Sequence, residues 1–212
     1  MASELITLIK PYMQKWDIPF SLSQEFALEI FYREIVHFSR LLGLTHAEER
    51  DLPAKHFLDS LLSLPSLWKM GLRTVLDIGS GGGFPALPLA VMMSDCHFTL
   101  CERNTKKAGF LLSTSSLMGL KNVSICAHDF TQVSGWFELC TFRALMKVTA
   151  QTAERVLKKS PRGLAYKGRL EETEKEAQLL TEAGLFVRID MVHDDNIMGQ
   201  RTLLWFARDE KL

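Results

Sequence analysis

The sequence predicts an α/β fold, a mostly parallel sheet with helices on both faces, preceded by a helical extension. Three observations carry that expectation. An apolar strand, Thr74–Ile78, runs straight into a glycine turn, Gly79-Ser80-Gly81-Gly82-Gly83, and then into an apolar helix opened by Pro85 and Pro88. Strand, glycine turn and helix form the opening unit of a nucleotide-binding sheet. From residue 71 onward, strand-like and helix-like stretches alternate, which argues parallel strands joined by crossover helices. Residues 1–70 read as helices. The expected division is therefore a helical N-terminal extension over 1–70 and a sheet domain over 71–212.

The elements follow in order. Leu5, Ile6, Leu8 and Ile9 begin an apolar stripe that Pro11 interrupts. Ser21 with Gln24 reads as a capping box. Phe26, Ile30, Phe31, Ile35, Phe38, Leu41 and Leu42 then recur at three- and four-residue steps as far as Gly43, an amphipathic helix whose aromatic stripe reads as core. Thr45 and Glu48 offer a second cap. Pro53 opens a helix carrying His56, Leu58, Leu61 and Leu62, which stops near Pro65. After the glycine unit come a strand over 97–102, a helix capped by Asn104 and reaching Met118, and a strand over 123–127 that ends at His128-Asp129. A fourth strand over 137–142 delivers Arg143. A helix over 148–157, a turn over 158–163, and a strand over 164–166 ending at Lys167-Gly168 follow. A charged helix over 171–183 then precedes two strands, 185–192 and 202–207. The loop 193–201 leaves the last strand antiparallel.

The glycine spacing separates two cofactors. A dinucleotide turn, G-x-G-x-x-G, wants a small residue at position 84 so that the helix N-terminus can reach a pyrophosphate. Here that position is Phe84. The pattern that fits is acid-x-G-x-G-x-G, read as Asp77, Gly79, Gly81 and Gly83. That is the S-adenosylmethionine (SAM) form of the turn, whose ligand has no phosphate. No Gly-Lys-Ser/Thr follows, so the Walker form fails as well. Glu102, at the end of the second strand, supplies a carboxylate that can accept both ribose hydroxyls of an adenosine ligand. His128 and Asp129, at the third strand end, should lie beside the adenine, although Asp129 also reads as a helix cap. The fold expected is the Rossmann-like sheet of class I SAM-dependent methyltransferases.

Bulk properties bound the rest. The chain has 212 residues, 25 basic and 25 acidic side chains, and an apolar fraction of 47%. That is an ordinary globular core with no basic excess to mark a free-standing nucleic-acid binder. Residues 1–70 hold 7 Lys+Arg and 9 Asp+Glu, so the extension is not a basic arm. Cys96, Cys101, Cys126 and Cys140 show no metal-ligand spacing, and three of them fall in expected strands, where they read as small apolar packing. No metal is expected. Neither a signal peptide nor a membrane-length apolar run is present, so the expected setting is the cytoplasm, with no membrane contact.

Transfer from a sulfonium is an in-line displacement, so the obligatory task is alignment of the nucleophile. Amine methylases of this fold resemble one another in an Asn/Asp-Pro-Pro-aromatic run at the fourth strand end. This chain has Thr141-Phe142-Arg143-Ala144 there. A cytosine-carbon methylase would resemble those with a Pro-Cys nucleophile, whereas Cys140 follows Leu139 inside a strand. What remains is a nucleophile that needs no deprotonation, or one served by a distant base. Guanine N7 is a bare ring acceptor of the first kind.

Several motifs, in order, carry a family resemblance. They are Lys55-His56-Phe57-Leu58-Asp59-Ser60, then Asp77 to Pro85 with its Phe84-Pro85 ending, then Pro88-Leu89-Ala90. Glu102 with Lys106-Lys107 and Phe110-Leu111 follows, then Arg143-Ala144, Lys167-Gly168 and Arg201. The chain resembles the RsmG (GidB) family, the bacterial 16S ribosomal RNA guanine-N7 methyltransferases. Lys55 stands where the family has arginine, Gly43-Leu44-Thr45 where it often has Asn-Leu-Thr, and His128-Asp129 where it tends to have a small or apolar residue and Glu.

The resemblance implies SAM as cofactor and S-adenosylhomocysteine as product. It implies 16S rRNA or a small-subunit precursor as partner, with a monomeric enzyme expected. Gly79, Phe84, Glu102, His128, Asp129 and Arg143 would line the SAM pocket. His56 and Arg143 are the candidate catalytic residues. Arg143 would neutralise the cofactor carboxylate or hold a phosphate. Lys55, Lys167 and Arg201 are candidate RNA contacts, with solvated charges the plain alternative for Lys167 and Arg201. Six basic residues between Arg155 and Arg169 are a second candidate phosphate track, or a wet face. Two other functions stay open: methylation of a small molecule or protein, and non-catalytic SAM binding by a regulator.

Overall fold

The computed structural model describes residues 3–143, 147–192 and 199–210. Ala144 and residues 193–198 of the expected last loop lie outside the described residues. Seven strands form one sheet in the order β3-β2-β1-β4-β5-β7-β6. These are β1 (Thr74–Ile78), β2 (His97–Cys101), β3 (Val123–Cys126), β4 (Leu139–Arg143), β5 (Arg162–Lys167), β6 (Phe186–Val192) and β7 (Arg201–Ala207). The pairs among β1 to β5 are parallel, while β7 runs antiparallel to both β5 and β6. The strand order reverses between β1 and β4, the place where sheets of this kind bind ligands.

Alternation along each strand sorts the side chains onto two faces. Val75, Phe98, Leu139, Leu164, Leu203 and Trp205 face one core. Their neighbours Leu76, Cys140, Ala165, Leu204 and Phe206 face the other. The first core is closed by α5 (Ala86–Met92), α6 (Thr105–Leu117) and the N-terminal helices, whose Leu5, Phe31, Phe57 and Leu61 belong to the same apolar cluster. The second is closed by α7 (Ala150–Val156) and α8 (Leu170–Glu182), through Ala153, Val156 and Leu180. By the same alternation Asp77, Thr141, Arg143 and Tyr166 project towards the N-terminal helices, and this positions the site.

Within the extension, α1 (Glu4–Lys15) runs through Pro11 instead of stopping there. The buried Ile9, Tyr12 and Met13 flank the proline, and their packing outweighs the lost N–H. The capping box of Ser21 and Gln24 opens α2 (Leu22–Leu42), and Gly43 closes it at φ 59°. The stripe on α2 is only partly core: Phe31 and Ile35 are buried, whereas Phe26 is 72% and Leu41 76% exposed. Thr45 accepts from the Ala47 amide at 3.1 Å and is bonded to His56, but the helical turn that follows begins only at Glu49, and Glu48 makes no side-chain cap. The helix expected from Pro53 begins instead as a π-helical turn (Pro53–Leu58) and continues as the single turn α3 (Asp59–Leu61). The helix α4 (Leu64–Met70) then leads to β1, with Pro65 in its first turn.

Two boundaries move for packing reasons. Arg162 and Gly163, expected in a turn, belong to β5. A Cβ on Gly163 would sit 2.1 Å from Cζ of Phe206, its register partner on β7, so this glycine makes room for a ring. The helix expected from residue 148 starts at Ala150, because Thr149 caps it.

Candidate cofactor and active site

The turn after β1 is built by conformation as well as spacing. Gly79, Gly81 and Gly83 have φ values of 69°, 51° and 90°, where side chains are disfavoured. Gly83 has a second constraint, since a Cβ there would lie 2.6 Å from Cδ1 of Leu87. The amides of Gly79 and Ser80 donate to the Cys101 carbonyl at 2.9 and 3.0 Å, tying the turn to the end of β2.

Glu102 follows directly. Its Oε2 accepts from the Gly81 amide at 2.9 Å and its Oε1 from the Asn104 amide at 2.8 Å. Each oxygen keeps a second lone pair for a hydroxyl. Glu102, Gly79, Ile78, Cys101, His128 and Asp129 line a cleft of 250 Å³, together with Arg103, Phe130 and Arg155. Asp129 proves to be both cap and cleft wall: it accepts from the Thr131 amide at 3.0 Å, and this bond holds its carboxyl below the usual range. Arg155 was legible only as part of a basic run. It lies 3.5 Å from Asp129, with its guanidinium 5.1 Å from the centre of the Phe130 ring.

Asp77 lies beneath the turn, fully buried. Thr141 donates to its Oδ1 at 2.8 Å, while Oδ2 has no partner. Burial pushes its carboxyl up to about 6, against the Thr141 bond and the nearby Ser80 hydroxyl, which donates to the Asp77 backbone carbonyl at 3.2 Å. An orphaned acid oxygen, a glycine cradle and a strand-end carboxylate with spare lone pairs fit SAM: a cation for the first, a nucleoside for the other two.

Beside this cleft, the extension meets the rim of the sheet. Phe84 is buried under the extension, its ring 4.8 Å from that of Phe31, 5.1 Å from Phe57 and 4.9 Å from His56. The Arg143 guanidinium lies 5.5 Å from the same ring. Arg143 donates to Asp59 Oδ2 at 2.8 Å and contacts Nδ1 of His56 through Nη2. Burial, then the cations Arg143, Arg201 and Lys55, push His56 down to about 3. Its ring is therefore neutral. A guanidinium can only donate, so Nδ1 accepts and the proton sits on Nε2, which donates to the Thr45 hydroxyl at 2.6 Å.

The remaining candidates are all paired. Arg201 Nε donates to Asp59 Oδ1 at 2.6 Å, Lys55 lies 2.7 Å from Asp51, and Lys167 lies 2.7 Å from Glu176. Tyr166 donates to the Ser60 carbonyl at 3.2 Å and bonds the Ser63 hydroxyl. Neighbouring strands β4, β5 and β7 thus each send one polar side chain to residues 56–63. Asp59, Tyr166 and Ser63 were missed as rim residues. Asp59 lies in a motif that the sequence displays, but nothing local shows where its carboxylate turns. The basic run is divided between the two ends of β5: Arg162 opens the strand and Lys167 closes it, about 16 Å apart at strand rise.

The family described as GidB, rRNA small subunit methyltransferase G, matches residues 24–193. The chain belongs to this family. A ribosomal RNA small subunit methyltransferase G of Borrelia recurrentis (strain A1) is 28% identical over 98% of this chain and 100% of its own. One of Borrelia turicatae (strain 91E135) is 31% identical over 77% of this chain and 80% of its own. A solved structure described as a putative O-methyltransferase from Klebsiella pneumoniae shares the fold at TM-score 0.60, with 15% identity, covering 94% of this chain and 96% of its own. This member of the GidB family is a SAM-dependent methyltransferase with the class I sheet expected from its glycine turn. Among the described residues, no cluster of His, Cys, Asp and Glu is arranged to hold a metal ion, and no helix is long and apolar enough to cross a membrane.

Proposed function

We propose that the protein methylates N7 of a guanine in small-subunit (16S) ribosomal RNA, as a monomer in the cytoplasm. Family membership supports the RNA substrate. The state of His56 is the observation that supports the atom. It is the imidazole at the junction of extension and sheet, it is neutral, and its lone pair accepts from Arg143. A nucleophile that had to lose a proton would find that base engaged. Guanine N7 is an unprotonated ring acceptor and needs none.

Bound SAM supplies a methyl carbon on a sulfonium, which a lone pair can displace. The chain's residues then have the following roles. Glu102 takes the ribose hydroxyls, and His128 with Asp129 flanks the base. Gly79, Gly81 and Gly83 allow close backbone approach, and Asp77 faces the positive end of the amino-acid tail. Phe84 seats the turn against the extension. Arg143, held by His56 and Asp59, is the fixed positive charge at the rim nearest the turn. Lys55, Lys167 and Arg201 are the RNA contacts, and each would exchange a carboxylate partner for a phosphate or share it.

The test is transfer from labelled SAM to small subunits isolated from cells lacking the protein. Label on a guanine N7 is the expected result. Label on a metabolite or a protein, or tight SAM binding without S-adenosylhomocysteine release, would refute the reading.

A further inference from the structure

Asp59 is a carboxylate shared by two arginines outside the cofactor cleft. Its side chain is 7% exposed, and each oxygen accepts from a different arginine, Oδ2 from Arg143 at 2.8 Å and Oδ1 from Arg201 at 2.6 Å. The two arginines come from the end of β4 and the start of β7, with β5 between them. One carboxylate between two guanidiniums leaves one unit of positive charge on these three side chains. Arg201 spends Nε on Asp59 and Nη1 on the Gln200 carbonyl, so Nη2 has no partner among the described residues, and its side chain is 25% exposed.

The position points past the cofactor. The nucleoside cleft lies over β1, β2 and β3. Strand β7 is three places from β1 in the sheet order, roughly 14 Å at ordinary strand spacing. A ligand that meets Arg201 is therefore on the substrate side. The anion that RNA offers everywhere is the phosphodiester, and a guanidinium fork matches it.

We propose that Asp59 is a positioning residue for methyl transfer: its carboxylate aligns Arg143 and Arg201 so that the pair takes one backbone phosphate beside the target base. This rests on rRNA being the substrate. Two unlinked arginines would repel and rotate apart, and the carboxylate fixes their separation. It does not touch the reacting atoms. Misplacement by about 1 Å at such a contact is enough to lower turnover on the order of a hundredfold.

The test uses the full chain and unmodified small subunits, comparing wild type, Asp59→Asn and Arg201→Gln. Three quantities are read: SAM affinity by calorimetry, kcat and KM for the subunit, and the slope of log affinity for subunits against log salt. Asp59→Asn is expected to keep SAM affinity within about twofold, to lose kcat by about ten- to a hundredfold, and to keep or steepen the salt slope, because an arginine is released rather than removed. A purely structural role predicts loss of SAM binding together with turnover, and that result overturns the proposal. So does an unchanged kcat. If Asp59→Asn does not fold, Arg201→Gln decides. The salt slope should fall by about 0.7 to 0.9, one phosphate's share, at unchanged SAM affinity. An unchanged slope overturns the proposal. Wild-type protein that labels no subunit RNA removes the substrate reading and this inference with it. Labelling by the wild type, matched by Asp59→Asn, removes this inference alone.

Discussion

The imidazole of His56 lies on the ring of Phe84, with centroids 4.9 Å apart and planes 33° from parallel. One residue comes from the N-terminal extension and the other from the end of the glycine turn, so the two parts of the chain meet ring to ring. Phe84 also touches Phe31 and Phe57, which makes it the centre of the junction. Phe84→Ala should therefore cost about 3–5 kcal/mol, the usual range for a buried phenyl ring. Urea unfolding checks this as a lower midpoint. A change below about 1 kcal/mol would mean that the extension does not depend on the turn.

Glu102 should not tolerate its amide. Both of its oxygens accept from backbone amides, of Gly81 and Asn104. Glutamine would turn a donor towards one of those N–H groups, whichever way it flips. Glu102→Gln and Glu102→Ala should both weaken SAM binding by about ten- to a hundredfold, measured by calorimetry. A glutamine variant that binds like wild type would remove the carboxylate from the nucleoside site.

The contrast between these two residues explains what the sequence shows and what it hides. Glu102 and the alternating glycines are legible because their roles are local. A strand end fixes where a carboxylate sits, and positive φ fixes where glycine is needed. Phe84 is legible as an oddity, being too large for a dinucleotide turn, but its ring neighbours Phe31, His56 and Phe57 arrive from well upstream in the chain. Asp59 sits in a recognisable motif, yet its partners lie on two strands far along the chain, and the π-helical turn that aims it has no sequence period of its own. Gly163 reads as turn punctuation until Phe206 is seen across the sheet. The basic run from Arg155 to Arg169 likewise reads as one patch until β5 is seen to separate Arg162 from Lys167.

Asp77 should make SAM binding pH-dependent. In the free protein its carboxyl titrates at about 6, because burial disfavours the anion. A cationic ligand prefers the carboxylate, so binding below this value must first displace a proton. SAM affinity should fall by up to about tenfold per pH unit below pH 6, and level off above it. Calorimetry from pH 4.5 to 7.5 checks this, and Asp77→Asn should flatten the profile. A wild-type profile already flat below pH 6 would show that the orphaned oxygen does not meet the ligand's charge.

His56 and Asp77 pull stability in opposite directions across the same pH range. The folded His56 is pushed down to about 3, against about 6.5 when unfolded, so between these values only the unfolded chain binds its proton. Its contribution is whole above pH 6.5 and is lost as pH falls towards 3, at up to about 1.4 kcal/mol per unit. Asp77 is pushed up to about 6, so between about 4 and 6 only the folded chain binds its proton. Its contribution is whole below pH 4 and is lost as pH rises through 6. The two slopes nearly cancel from pH 4 to 6. Removing the imidazole should remove the first slope: His56→Asn should gain stability on acidification relative to wild type. The difference between their unfolding free energies should change by about 1 kcal/mol per pH unit between pH 4.5 and 6.5. Parallel curves would mean that His56 takes up a proton in the fold. It could not then accept from Arg143, and the argument for a nucleophile without a base would lose its support.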